Sequence, residues 1–363
     1  MTPPPVYING LGCISPQPTV NTAGFLSEIR CDKVNSLRCL EPNYKEYITG
    51  DLVRRMSRLI KMGVAAAKIA CPTLYPSPSG PGEGYDAIIT GTGLGCVEDT
   101  EKFLTTLIRN NEELLTPTSF IQSTHNTVSA QIALLLKCHA YNFTYVHRAL
   151  SFESALLDAM LHTRETPEKQ ILVGGMDELT QKTLQILTRL GQVKHKSIRN
   201  LDLLSDKQRG SIPGEGAAFF LLSGIPSNST ISAITGLKLC FRPDSFAEVC
   251  SNMEKMLAEL NLQPEDVDLL LTGMNGDPTN DAIHLELISC LPESTGVAAF
   301  KPLCGEYFTA VSFGLWMAAQ IIMHQTIPKP VIIRNNTGKT IRTILLYNHF
   351  RNLEHSFILI NQA

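Results

Sequence analysis

Short apolar runs alternate with helix-spaced ones along the whole chain, and this alternation constrains the fold more than any other feature. "VYINGLG" (6–12) reads as a strand ending in glycines, and apolar residues at helical spacing follow near 54–72. "SPSGPGEG" (77–84) is a loop. A strand at 86–90 runs through the glycine turn "GTGLG" (91–95) into a helix. A helix at 127–137, a strand at 142–146, a helix at 151–160, a strand and turn at 169–179 and a strand at 214–223 complete a first half, residues 1–224. The second half, 225–363, repeats the plan more briefly. It has strands at 229–241 and 267–272, helices at 245–260, 279–290 and 307–324, and closing strands at 340–348 and 355–362. Strands alternating with helices predict an α/β fold with a mostly parallel sheet.

Composition narrows the function. Hydrophobic residues make up 44% and charged residues 18%, which favours a large core and much buried interface. The net charge is -3 and no basic run occurs, so nucleic acid is not expected as a partner. Ten cysteines are scattered without a CxxC pair, which predicts reduced thiols and no zinc site. The N-terminal "MTPPPVYING" lacks the pattern of a signal peptide, and no apolar run reaches membrane-spanning length. A cytoplasmic chain is expected. "GTGLG" lacks the spacing of a dinucleotide fingerprint, and no metal or cofactor is expected.

One strand-to-helix turn stands out. "NFTYV" leads through "HRALSF" into "SFESALLDAM". A nucleophile at such a helix head would have its anion favoured by the dipole. Ala149 and Leu150 hold the centre of the turn, and neither is a nucleophile.

These landmarks, with "LVGGMDEL" and "GSIPGEGAAFFLLS", resemble in order and spacing those of the β-ketoacyl synthases, the condensing enzymes of the thiolase fold. The resemblance covers nearly the whole chain. It implies a thiolase-like five-layered α/β/α/β/α sandwich with two pseudo-repeated halves. It also implies a chemistry in which a cysteine on the turn takes an acyl chain from a carrier protein. Two histidines then help decarboxylate a malonyl unit and stabilise the enolate. Residue by residue, the cysteine falls on Ala149, with Ser151 kept and Phe152 in place of glycine. The first histidine falls on Gly273 in "GMNGDPTND". The second falls on Glu306 in "KPLCGE", where Lys301 and Gly305 are kept. The glycine-rich loop becomes "RNLE" (351–354), with Asn352 at its phenylalanine gate.

With all three groups absent, the resemblance implies a non-catalytic homologue, similar to the chain length factors that partner an active ketosynthase. Such pairs serve type II polyketide and aryl polyene or flexirubin-type pigment systems. The implied partners are a ketosynthase subunit or a second copy of this chain, and an acyl carrier protein. "NFTYV" would pair across the two-fold axis, Phe152 would help floor a shared acyl tunnel, and a cysteine introduced at 149 would be open to alkylation. His125, His147, Arg148, Ser151, Phe152, Lys301, Asn352 and His355 are candidate pocket residues. Each has a structural alternative: Ser151 and the "STHN" residues suit helix caps, and the histidines suit hydrogen-bonded core or interface positions. Cys304 suits a buried apolar position. Two further classes stay open, an acyltransferase with a displaced site at Ser151 and His147, and a binding module for acyl chains or carrier proteins.

Overall fold

The computed structural model describes residues 4–22, 24–71, 84–115, 117–335 and 338–363; the expected loop at 77–84 lies outside them except for Gly84. An eleven-stranded mixed sheet organises the chain. Its strands are β1 (Val6–Ile14), β2 (Ala87–Gly91), β3 (Tyr141–Tyr145), β4 (Ile171–Asp177), β5 (Gly216–Ser223), β6 (Ser232–Phe241), β7 (Leu269–Thr272), β8 (Gly296–Ala299), β9 (Ile332–Arg334), β10 (Thr343–Phe350) and β11 (Glu354–Asn361). The first five lie in the order β3-β2-β4-β5-β1. The later set lies in the order β8-β7-β10-β11-β6, with β9 outside β8. Counted within each set, both orders are third, second, fourth, fifth, first. In both, the fifth strand runs antiparallel to its two neighbours. The sets join only where Val6–Ile8 of β1 pairs with Ser232–Ile234 of β6.

The main helices are α1 (Arg58–Ala70), α2 (Val97–Arg109), α3 (Pro117–Ser123), α4 (Thr127–Leu136), α5 (Ser151–Glu165), α6 (Gln181–Arg189), α7 (Phe246–Glu259), α8 (Pro278–Ser289) and α9 (Ala310–His324). α5 and α9 lie between the two sets of strands. Phe152, Phe313 and Trp316 pack there with Phe220 of the first set and Leu346 and Ile358 of the second. α9 is apolar all round, as a helix buried on both sides must be. α1 and α4 cover the outer face of the first set through Met62, Val128 and Ile132. α7 and α8 cover the outer face of the second through Val249, Met253 and Leu287. The result is the five-layered thiolase-like sandwich. Among the described residues no helix is long and apolar enough to cross a membrane.

Two glycine landmarks exist for close approach. A Cβ on Gly12 would stand 2.2 Å from the Ala66 carbonyl oxygen, and one on Gly91 2.3 Å from that of Ser151. α1 therefore lies directly on β1, and α5 begins against the end of β2. Two expectations are corrected. The large sheet is not mostly parallel: six of its ten strand pairings are antiparallel, because each fifth strand, the β1–β6 join and the β8–β9 pair reverse direction. Cys250 of α7 and Cys290, just after α8, form a disulfide. Packing of the two helices brings their Cα atoms to 6.7 Å, a contact that 40 residues of separation hide in the sequence. The other eight cysteines are free.

The two halves are tied at Asp177, the last residue of β4. Its carboxylate, 3% exposed, accepts from Thr92 Oγ1 and the N–H groups of Gly93 and Leu94 in the glycine turn. It also accepts from the N–H and Oγ1 of Thr309, which precedes α9. Asp177→Ala strands these buried donors and is expected to destabilise the chain by about 3 kcal/mol or more. Chemical denaturation measures this, and a loss below about 1 kcal/mol contradicts the role.

Candidate functional site

The turn after β3 is built around Ser151. Its Oγ accepts the His147 N–H at 2.8 Å and donates to the Arg148 carbonyl at 2.7 Å. Arg148 takes φ +48° and starts a single 3-10 turn, Arg148–Leu150, that leads into α5. The α5 N-cap is Leu150, so Ser151 holds the turn together and does not cap the helix. The Ala149 methyl group is buried, 3% exposed.

The three positions of the expected chemistry are each occupied by other contacts. The Ala149 N–H donates to Glu354 Oε2 at 3.1 Å. At Gly273, just after β7, a Cβ would stand 2.1 Å from Asn348 Oδ1, so the Asn348 side chain fills the space a residue there would need. Asn348 is 5% exposed and its Oδ1 has no hydrogen-bond partner. Glu306 accepts two hydrogen bonds from Lys301 Nζ, at 3.0 and 2.7 Å, and one from Asn275 Nδ2 at 2.6 Å. Lys301 is fully buried, so this ion pair commits both groups to each other.

A second carboxyl group lies one helical turn beyond Ala149. Glu153 is fully buried; Ser356 Oγ donates to its Oε1 at 2.8 Å, and its Oε2 has no partner. Burial pushes its carboxyl up to about 8, against the pull of the Ser356 hydrogen bond.

Alternation along β11 separates two groups of side chains. Glu354 and Ser356 face α5, whereas His355 faces α7 and α8. His355 Nδ1 lies 3.0 Å from Tyr347 Oη, and its ring stacks at 5.3 Å on His349, its cross-strand partner. His349 in turn lies 4.5 Å from His284. Burial pushes His349 down to about 3 and His355 down to about 4. His355 therefore belongs to a buried histidine column behind the sheet and does not join the Ala149 pocket. His284 and His349 were not among the expected site residues; the histidines flanking the hairpin tip in "HFRNLEH" were the available signal.

The remaining candidates disperse. His147 and Arg148 are exposed, and His147 Nδ1 lies 3.4 Å from Ser154 Oγ. With Ser151 bonded to backbone, the displaced Ser151–His147 pair is not assembled. His125 is exposed before α4, its ring against Gly95. The α4 N-cap, Asn126, gives no side-chain cap; Thr124 and Thr127 instead bond each other and the Ile121 carbonyl. Phe152 packs in the core, 5.9 Å from Phe220, and lines none of the three hollows described below. Asn352 is exposed at the hairpin tip, φ +54°, and donates its N–H to His349 Nδ1. Phe350, two residues earlier, packs 5.3 Å from Phe308. Cys304 is fully buried, as its apolar reading required.

Three adjoining hollows meet around Glu306, Phe308 and Phe350. A small apolar one of about 80 Å3 runs between Leu94, Leu187, Phe308 and Phe350 and reaches Glu306. A polar one holds Asn275, Asn280, Arg209 and Arg351. A third extends past Ile186 and Leu190 to Arg148.

No protein-family model matches the chain, and no curated protein matches it in sequence. Solved structures match over almost its full length. The ishigamide ketosynthase/chain length factor aligns at a TM-score of 0.79 and 18% identity, over 99% of each chain. A β-ketoacyl synthase from Burkholderia phymatum STM815 aligns at 0.79 and 14%, over 99% of this chain and 100% of its own. A ketosynthase in complex with its chain length factor from Xenorhabdus doucetiae aligns at 0.79 and 14%, over 99% and 98%. The chain thus has the thiolase-like fold of ketosynthases and chain length factors.

Glu153 gives the stability of the chain a definite pH dependence. Its folded value lies above the unfolded one, so its contribution is complete below about pH 4.5 and is lost as pH rises through about 8. The histidine column acts in the opposite sense: its contribution is present above about pH 6.5 and is lost as pH falls towards about 3 to 4. Denaturation midpoints between pH 6 and 9 are expected to fall in the wild type, and to fall less in Glu153→Gln. Parallel profiles contradict the assignment.

Proposed function

We propose that this chain is a non-catalytic ketosynthase-like subunit of the chain-length-factor kind. It pairs with an active ketosynthase during assembly of a fatty acyl, polyketide or aryl polyene chain delivered on an acyl carrier protein. The observation that carries this reading is the occupied site. A turn and loops shaped for acyl condensation hold Ala149, Gly273 and Glu306, and each position is filled by Glu354, Asn348 or Lys301. Enzymes lacking a nucleophile and both imidazoles lose the steps those groups perform. The lining of the hollow between Leu94, Leu187, Phe308 and Phe350 is apolar, the chemistry that an alkyl or polyene chain would meet.

The partner surface is the edge strand β3. It is the last strand of the sheet on its side, and its backbone is open to another strand. Tyr141, Phe143 and Tyr145 form a ring ladder along it, with centroids 6.1 and 4.9 Å apart. Phe143 is 46% exposed, and Val146, Leu157 and Leu161 nearby are 50, 37 and 48% exposed. An uncharged aromatic edge of this kind favours association over solvation. In the absence of a ketosynthase, a second copy of the chain can use the same edge.

Sedimentation of the purified chain, alone and with the ketosynthases encoded beside it, tests the pairing. A dimer is expected, preferentially with a ketosynthase, and Phe143→Asp and Tyr145→Asp are expected to weaken it at least tenfold. A monomer at micromolar concentration with every candidate contradicts the reading. Folded variants that stay dimeric place the interface elsewhere.

A further inference from the structure

We infer that Glu354 is a built-in anion that closes the head of α5 from within, so that this subunit is shut to the oxyanion of a tetrahedral intermediate formed from an acyl thioester, whatever side chain stands at 149. The Ala149 N–H lies in the turn that opens a fifteen-residue helix, where backbone donors and the helix dipole favour negative charge. The next donor, the Leu150 N–H, is already bonded to the His147 carbonyl. The Ala149 N–H instead meets a carboxylate oxygen from a residue 205 positions away.

The arm that brings this carboxylate is fixed. Glu354 opens β11 and is paired on both sides, with Phe350 of β10 and Phe241 of β6. It is 4% exposed. The tight reversal before it sets Arg351 and Asn352 at φ +53° and +54°, a left-handed conformation that non-glycine residues seldom adopt. The neighbouring carboxyl of Glu153 is held separately by Ser356. An incoming oxyanion would have to expel Glu354 from a buried position. A thiol placed at 149 would form its thiolate beside a carboxylate, which opposes the dipole. This reverses the expectation that a cysteine there would be readily alkylated. The inference rests on the head of α5 alone, so it stands or falls separately from the pairing with a ketosynthase.

The test uses three full-length variants, A149C, A149C/E354Q and A149C/E354D. Iodoacetamide labelling is followed against pH by mass spectrometry of the peptide carrying position 149. The midpoint of each profile is the readout, so differences in access do not enter. A free cysteine titrates near about 8.5, and helix N-termini lower it. The A149C midpoint is expected above about 8.5, and the A149C/E354Q midpoint at least about one pH unit lower, a tenfold gain in thiolate near neutrality. The E354D carboxylate, one methylene shorter, is expected to give an intermediate value. Coincident midpoints in folded A149C and A149C/E354Q, checked by circular dichroism and melting, overturn the inference. If A149C/E354Q does not fold, a midpoint for A149C/E354D that coincides with that of A149C overturns it.

Discussion

The end of β4 is held by two buried carboxylates, and the rest of the site depends on them. Asp177 gathers the glycine turn after β2 and the head of α9. Glu215 binds Arg58 at the start of α1 through two contacts of 2.7 Å, and accepts the N–H groups of Cys39 and Leu179. Burying a carboxylate costs several kcal/mol unless its acceptors are filled. Here both sets are filled by donors from elements far apart in sequence. The layers therefore meet in one register, and Glu306 and Phe308, just before Thr309, are fixed at the hollows. Three glycine-bearing stretches, "GTGLG", "LVGGMDEL" and "GSIPGEG", are the backbone around these two anions.

The candidate site is compensated as well as stripped. Losing an imidazole from a packed interior leaves a cavity or an unpaired neighbour, and either costs stability. Lys301 is fully buried and would be an isolated charge without Glu306. The space at Gly273 is taken by Asn348, and the Ala149 N–H by Glu354. On the proposed reading, such replacements fill the interior without disturbing the surrounding sandwich. The hollows beside Glu306 lie open next to these filled positions.

Much of this fold was legible in the sequence because strand and helix periods are local. Strands from "DAIIT" to "HSFILINQ" lie within a few residues of their expected places. "GVAA" (296–299) was missed because a four-residue strand of small side chains carries no period. The filling of the site was not legible, since Glu354, Asn348 and Lys301 reach it from separate elements. His355 was misplaced for the same reason: which way a β11 side chain faces depends on register, and a shift of one residue exchanges the two faces. Asn352 is turned out to solvent by the hairpin tip, which local sequence does not reveal. The Cys250–Cys290 disulfide follows from helix packing, which spacing does not encode.

The central claim is that the groups for decarboxylative condensation are absent here and their places filled. Carbon dioxide release from a malonyl carrier-protein thioester measures this directly. The assay is run on the purified chain and on its complex with a ketosynthase whose own nucleophile has been replaced by alanine. Release at the rate of the protein-free control is predicted in both. Turnover above that rate, abolished by substituting a residue of this chain, would contradict the account.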